Sequence, residues 1–356
     1  MKKNANVFSK LFDEKHRGRT VSFLIVICVY VLIELLQAAG SLSSLFKSLL
    51  VPACCYIVAA LGLNMNVGIS GELNLGQAGF MSVGAFTGIC VSGLLAETIP
   101  NTVIRLIIAI IAGAIIAAVM GWLIGVPVLK LQGDYLAIVT LAFGQIIKSL
   151  ITNLYFGFDE NGLHMSFVNN NVKLAPGGKM LINGPIGATG TPRIATFTIG
   201  VCLVLASLVI IYNLIYSKSG RAIMSCRDNR IAAESIGIKV ADIKMLAFIV
   251  SASLAGAAGA LYGMNYSTLA ANKFDFNTSI LILVYVVLGG LGNMTGTIIS
   301  TAVLLVLPEM LRGLQDYRML IYAMVLIVIM LVSNNEALKT RFGKLTEGFR
   351  KKKGAQ

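Results

Sequence analysis

Two groups of residues carry most of the chemistry that this sequence offers. The first lies in Leu61–Phe80, where Asn64, Asn66, Ser70, Glu72, Asn74 and Gln77 interrupt apolar sequence, with glycines interleaved. Polar side chains and broken helix survive at membrane depth only inside protein or beside water. Such a segment suits either a water-accessible path or close helix packing with amides bonding across the contact. Gln145, deep in another apolar run, belongs to the same class. The candidates for a path are therefore Asn64, Asn74, Gln77 and Gln145. The second group is Ser219-Gly-Arg-Ala-Ile-Met-Ser-Cys-Arg-Asp-Asn-Arg-Ile-Ala-Ala-Glu-Ser-Ile-Gly-Ile238. Ser225 with Asp228 fits the S-x-x-D capping box, Ile231, Ala232, Ala233 and Ile236 supply an apolar face, and Gly237 is a natural stop. A short amphipathic helix with basic flanks can lie on lipid, or dock into a groove on a partner protein.

Covalent and metal chemistry are poorly served. His16 and His164 stand alone, and the six cysteines include no C-x-x-C pair, so they read as small hydrophobes. No catalytic residue, metal ligand or cofactor is expected. Gly178-Lys179 and Gly343-Lys344 are followed by Met180 and Leu345, not by the Ser or Thr of a phosphate-binding loop. Energy must come from a partner or an ion gradient.

The elements that hold these residues follow from composition. Of 356 residues, 56% are hydrophobic and only 13% charged, against about 25% charged in a soluble domain. The mean hydropathy is +0.82. This excludes a soluble enzyme, a disordered chain and a nucleic-acid-binding protein, and makes the lipid bilayer the first partner. The apolar runs predict about ten membrane helices, near 21–39, 47–68, 74–96, 103–128, 134–155, 194–216, 245–263, 277–292, 295–312 and 317–333. No period-two alternation suggests a barrel. Asp134 is placed to cap the fifth helix.

The net charge of +13 concentrates in three places: the tail 1–20, the segment 217–244 and the tail 334–356. The positive-inside rule puts all three in the cytoplasm, and six spans before the internal cluster with four after it satisfy that placement. The transmembrane domain is then 21–333, with an external loop over 156–193 rich in turn residues. A second glycine-broken stretch, Val287–Gly296, echoes the first and suggests an internal repeat. Small residues recur at Ser251, Ala255, Gly259 and Gly263, and at Gly121 and Gly125, as in close-packed membrane helices.

Taken together, Leu61–Phe80, Gly133–Gln145, Gly220–Gly263 and Tyr285–Gly296 resemble, in order and over most of the chain, the branched-chain amino acid permeases of the LivM type. Those are membrane subunits of ATP-binding-cassette importers. The resemblance implies an all-α type II-like importer permease fold of about ten helices. It implies a subunit without an ATPase site that forms half of a pathway for leucine, isoleucine or valine in a bacterial cytoplasmic membrane. The piece from Arg227 to Gly237 looks like the family's connector to the ATPase. By that likeness Arg227, Asp228, Asn229, Ala232, Ala233, Glu234 and Gly237 are the expected coupling residues. The implied partners are a homologous second permease of the LivH type, two cytoplasmic ATPases and an external substrate-binding protein. The chain departs from the family's compact turn after the fifth span, having Phe156-Gly-Phe-Asp-Glu-Asn-Gly162 and a longer loop. Permeases for urea or nucleosides share the architecture. An ion-coupled transporter is the alternative class, disfavoured by the scatter of Glu34, Arg105 and Lys148 over separate spans.

Overall fold

The structure, a computed structural model, describes residues 17–327 except 41–42, 97, 132, 160–161, 168–177, 312–316 and 318–319. The expected tails lie outside the described residues, apart from 17–20. The chain divides into two compact units, 1–301 and 302–356. The first holds α1 (Arg17–Ala38), α2 (Ser44–Asn64), a π-turn (Met65–Ile69), α3 (Gln77–Leu94), α4 (Thr102–Val128) and α5 (Asp134–Thr152). It continues with α6 (Phe197–Tyr216), α7 (Lys218–Asp228), α8 (Arg230–Ser235), α9 (Val240–Gly263) and α10 (Phe276–Gly289). Helix α11 (Met294–Met310) begins in this unit. In the second unit 320–327 is helical.

Among the described residues, eight helices are long and apolar enough to cross a membrane, six before the basic connector and two after it. Helix α11 is apolar but shorter. The six-helix count before the connector matches the hydropathy pattern, whereas the expected last span, 317–333, is described only in part. The chain belongs to the all-α membrane class. Helix starts are secured where the local sequence supplies an acceptor: Asn101, Ser217 and Asp275 accept from the backbone N–H groups of Val103, Gly220 and Thr278. Gly133 occupies the N-cap of α5, and the Asp134 side chain lies outside the described residues.

The core sits where α9 packs against α3 and α4. Small residues make this possible. A Cβ on Gly84 would strike the Gly256 carbonyl, one on Gly256 would strike Ala117 and the Gly113 backbone, and one on Gly259 would strike the Met81 carbonyl. Gly121 faces Ala252, and Gly125 faces Met245 and Phe248. The four-residue spacing in the sequence is therefore a packing stripe, which brings backbones close enough for dispersion to hold helices together in lipid. Helix α1 is the opposite case: Leu24, Leu32 and Leu35 point outward, as lipid-facing residues do. It is moored by Ser22, whose buried hydroxyl lies 2.8 Å from the Tyr212 hydroxyl and 2.6 Å from Thr295 Oγ1.

Two expectations are corrected. The segment 156–193 is more than a connecting loop. With Thr268–Leu269 it builds an antiparallel sheet in the order β2-β1-β3-β4-β5, from β1 (Tyr155–Asp159), β2 (Gly162–Ser166), β3 (Lys179–Asn183), β4 (Ala188–Thr189) and β5 (Thr268–Leu269). Strands this short give too little alternation to stand out, although the turn residues Asn183-Gly-Pro185 do separate β3 from β4. The capping box at Ser225 is also absent. Ser225 lies inside α7, where its hydroxyl donates to the Ala222 carbonyl 2.8 Å away. The connector is two helices broken at Asn229, and the Asn229 side chain caps α8 by accepting from Ala232 N–H at 3.1 Å.

Gly256→Leu should destabilise the bundle by about 1–3 kcal/mol, because the neighbouring backbone cannot retreat. Gly18→Ala, at an open position, should stay within about 0.5 kcal/mol of the wild type. Thermal unfolding of the two variants in detergent compares them directly.

Candidate functional site

The site is built around an interruption. Helix α2 ends at Asn64, widens into the π-turn, and gives way to a non-helical stretch over 70–76 before α3 starts at Gln77. Such a stretch exposes backbone N–H groups that lipid cannot satisfy. Here each neighbour supplies an acceptor. Leu75 N–H donates to Thr140 Oγ1 on α5 at 3.1 Å, Gly76 N–H to Asn74 Oδ1 at 2.8 Å, and Ala78 N–H to Ser279 Oγ on α10 at 3.1 Å. Gln77 Nε2 donates to the Ala59 carbonyl at 3.0 Å, and Ser251 Oγ reaches Gln77 Oε1 at 3.4 Å. Ser251 stands half-way along the 24-residue α9. The unwound stretch therefore occupies one half of the helical layer and α3 begins near its middle, the discontinuous-helix pattern of transport proteins.

The second glycine-broken stretch meets the first. Asn64 Oδ1 accepts from Gly292 N–H at 2.8 Å, and Asn64 Nδ2 donates to Thr297 Oγ1 at 2.8 Å. Gly68 lies against Gly292 so closely that no side chain fits between them. The two echoing segments are thus brought into contact, clipped by one asparagine.

These contacts place the four path candidates. Asn64, Asn74 and Gln77 are fully enclosed and spend their polar atoms within the chain, where they fix the shape of the interruption. Gln145 is half-buried on α5 and joins none of them. Sequence reasoning passed over Thr140, Ser279 and Thr297, because a hydroxyl in an apolar helix signals nothing until its partner is known. Asn66 and Ser70 are different again: both are buried, and Asn66 Nδ2 and Oδ1 and Ser70 Oγ have no hydrogen-bond partner.

The connector is latched to this interruption. Helix α6 ends at it and α9 starts from it, while the far ends of both helices reach the sheet, so connector and sheet lie at opposite ends of the bundle. Arg227 donates from Nη1 to the Gly68 carbonyl at 2.9 Å and from Nε and Nη2 to Asp228 Oδ1 at 3.0 and 2.9 Å. Gly71, at φ +76°, lets this happen, since a Cβ there would lie 2.7 Å from Arg227 Cγ. Lys244 pairs with Glu72, both side chains being only 12–13% exposed. Arg230 and Glu234 form an i,i+4 pair at 2.9 Å on the surface. Ala233 is buried in a small cluster with Cys226 and Val240, flanked by Ile238 and Ile243, and Gly237 ends the unit at φ +84°. The expected apolar face is split: Ala233 points inward, while Ile231 and Ile236 stand 80% and 74% exposed and Ala232 is exposed too. Two isoleucines are thus presented to solvent on a charged surface. Among the described residues no group of three or more His, Cys, Asp or Glu could hold a metal.

Comparison with known proteins identifies the family. A family model described as "Branched-chain amino acid transport system / permease component" matches residues 45–332. The high-affinity branched-chain amino acid transport system permease protein LivM of Escherichia coli K12 is 34% identical over 290 residues, covering 78% of this chain and 66% of that protein. LivM of Salmonella typhimurium is 32% identical over 289 residues with the same coverage. The matched region thus spans just under two thirds of these relatives' length. The LivH permease of Salmonella typhimurium is 23% identical over 284 residues, 78% of this chain and 89% of LivH. No solved structure matches.

Asn64→Leu should keep the volume but strand the Gly292 N–H and the Thr297 hydroxyl, at a cost of about 1–3 kcal/mol. Faster amide hydrogen exchange at Gly292, with a lowered unfolding temperature, is the expected result.

Proposed function

Because the chain belongs to the branched-chain amino acid transport permease family, we propose that it is the membrane subunit of an ATP-binding-cassette importer and forms half of its path for leucine, isoleucine or valine. The observation that carries this reading is the latch between connector and interruption: Arg227 to the Gly68 carbonyl, and Lys244 to Glu72. The subunit has no ATPase site of its own, and two cytoplasmic ATPases supply the energy. They dock on the connector, which the basic excess assigns to the cytoplasmic face of a bacterial cytoplasmic membrane, together with both termini. Ile231 and Ile236 are the apolar contacts of that docking, and Arg230 and Glu234 the charged rim.

Coupling follows from the geometry. A push on α8 is carried by its packing through Ala233 to α7 and the root of α9. Arg227 and Lys244 pass it to Gly68 and Glu72, at the start of the unwound stretch. A helix interrupted at mid-depth can shift there without breaking a continuous ladder of hydrogen bonds, so this stretch is the gate between the two accessible states. Asn64, Asn74 and Gln77 hold its two resting shapes, and Gln145 faces the path. A homologous second permease completes the path, and an external binding protein delivers the cargo at the sheet end. The identity to LivM over most of the chain supports the cargo assignment.

The test is an importer reconstituted with its ATPases and binding protein. Ile231→Glu and Ile236→Glu touch no packed residue, so insertion and unfolding temperature should remain normal. Cargo-stimulated ATP hydrolysis and leucine uptake should each fall at least about tenfold, as for loss of an interface anchor. Wild-type rates in both variants would remove the connector from the coupling path.

A further inference from the structure

The β1–β2 hairpin has an apolar face that the bundle covers only in part. Its register pairs Phe156 with Met165 and Phe158 with Leu163, and paired residues share a face of the sheet. The other face carries Tyr155, Asp159 and His164, with His164 Nε2 3.1 Å from Asp159 Oδ1. Leu163, Met165 and the following Phe167 are all exposed. A contiguous apolar patch of this kind marks a surface that meets a partner or a membrane.

A cavity of about 350 Å³ lies against this face. Val83, Thr87 and Cys90 of α3 line one wall, and α4 and α5 contribute Ile116 and Leu150. Phe156, Met165 and Ile182 of the sheet close the end. Among the described side chains that line it, only Thr87 carries an oxygen or nitrogen, and none is charged. Water finds too few partners there, and an empty space of this size forfeits dispersion contacts along its walls. The cavity opens through the side of the bundle, since Ile116, Leu150 and Met165 are 44%, 50% and 60% exposed. Ile116 stands near the middle of the 27-residue α4, beside the exposed Ile115, Val119 and Trp122. The mouth is therefore at hydrocarbon depth, beyond the reach of a soluble partner. Another span fits it poorly, because membrane helices meet through small residues and this rim is isoleucine, leucine and methionine. A flexible hydrocarbon chain fits well: the volume holds about a dozen groups of about 30 Å³ each.

We propose that this cavity holds one acyl chain of a membrane phospholipid from the leaflet at the sheet end, with the apolar face of the hairpin lying over it in that leaflet. The chain fills the space between α4 and α5 and gives Phe156 and Met165 an apolar partner. It also braces α5, whose Thr140 accepts from Leu75 N–H in the unwound stretch. A lipid that binds the folded chain stabilises it by mass action. The site rests on the membrane class of the chain and not on the transport reading.

The experiment uses the full chain, purified from its membrane with the subunits that accompany it. It is placed in nanodiscs of a phospholipid that carries a diazirine midway along one acyl chain. After illumination, labelled residues are mapped by mass spectrometry. In the wild type, Val83, Thr87 and Cys90 should be labelled as strongly as Leu24 and Leu32 on the lipid-facing side of α1. Thr87→Trp fills the cavity, and Met165→Glu puts a charge at its mouth. Each should cut labelling of the α3 wall at least about tenfold and leave α1 unchanged. Met165 is exposed, so its variant keeps the test sound whatever the tryptophan does to packing. A bare α3 wall beside a labelled α1 overturns the site, and if Ile116 and Leu150 are protected as well, a partner span covers the mouth instead. Labelling of α3 that neither variant lowers overturns it too, since the chain then lies elsewhere. Removing lipid should lower the unfolding temperature of the wild type more than that of Thr87→Trp, and an equal fall in both overturns the bracing of α5.

Discussion

The structure depends on one constraint: a backbone polar group inside a bilayer must find its partner within the protein. Most of this chain meets it with unbroken helices. The exception is the stretch over 70–76, and the surrounding architecture is shaped by the need to satisfy it. Thr140 reaches in from α5, Ser279 from α10 and Arg227 from the connector, while Asn74 closes a turn on its own backbone. Each donor or acceptor comes from a different element, so the interruption exists only when those elements are assembled.

Close packing is what allows that assembly. Between α3, α4 and α9 there is no hydrophobic driving force, because lipid is as apolar as the side chains. Backbones approach instead where glycine and alanine leave room, at Gly84 on Gly256 and Gly259 on Met81. The result is a rigid core beside a stretch that carries few regular hydrogen bonds of its own. Rigidity on one side and a short unwound stretch on the other is what the proposed gate would use. Arg227 and Lys244 attach to the unwound side, and the buried Ala233 cluster packs the connector against the root of α9.

Much of this was legible in the residues. The span boundaries before the connector, the break near Ser70 and the four-residue spacing of small residues follow from hydropathy, polar interruptions and periodicity, all of which are local. The errors arose where the signal was weak or the partner remote. Ser225 and Asp228 have capping-box spacing, but α7 runs through Ser225 and Asn229 caps the next helix. Strands of two to five residues in 155–189 left no periodic trace. Asn64 and Gln77 are a different matter: amides in apolar sequence suit a path or a packed contact, and only the distances to Gly292, Thr297 and Ala59 show which groups of the chain they bond.

The sequence alone determined that this chain lives in a membrane, where its helices break and where its basic segments lie. Those properties are sums or periods over neighbouring residues, and transfer free energy acts on each stretch by itself. Tertiary structure decided which polar residues hold the break together, which isoleucines of the connector face outward, and that Ser70, Glu72, Arg227 and Lys244 surround one cavity. These include pairings between residues 172 positions apart, Lys244 with Glu72, and 233 apart, Asn64 with Thr297. No local rule contains them, because each partner is chosen by the packing of whole helices and not by the residues beside it in the chain.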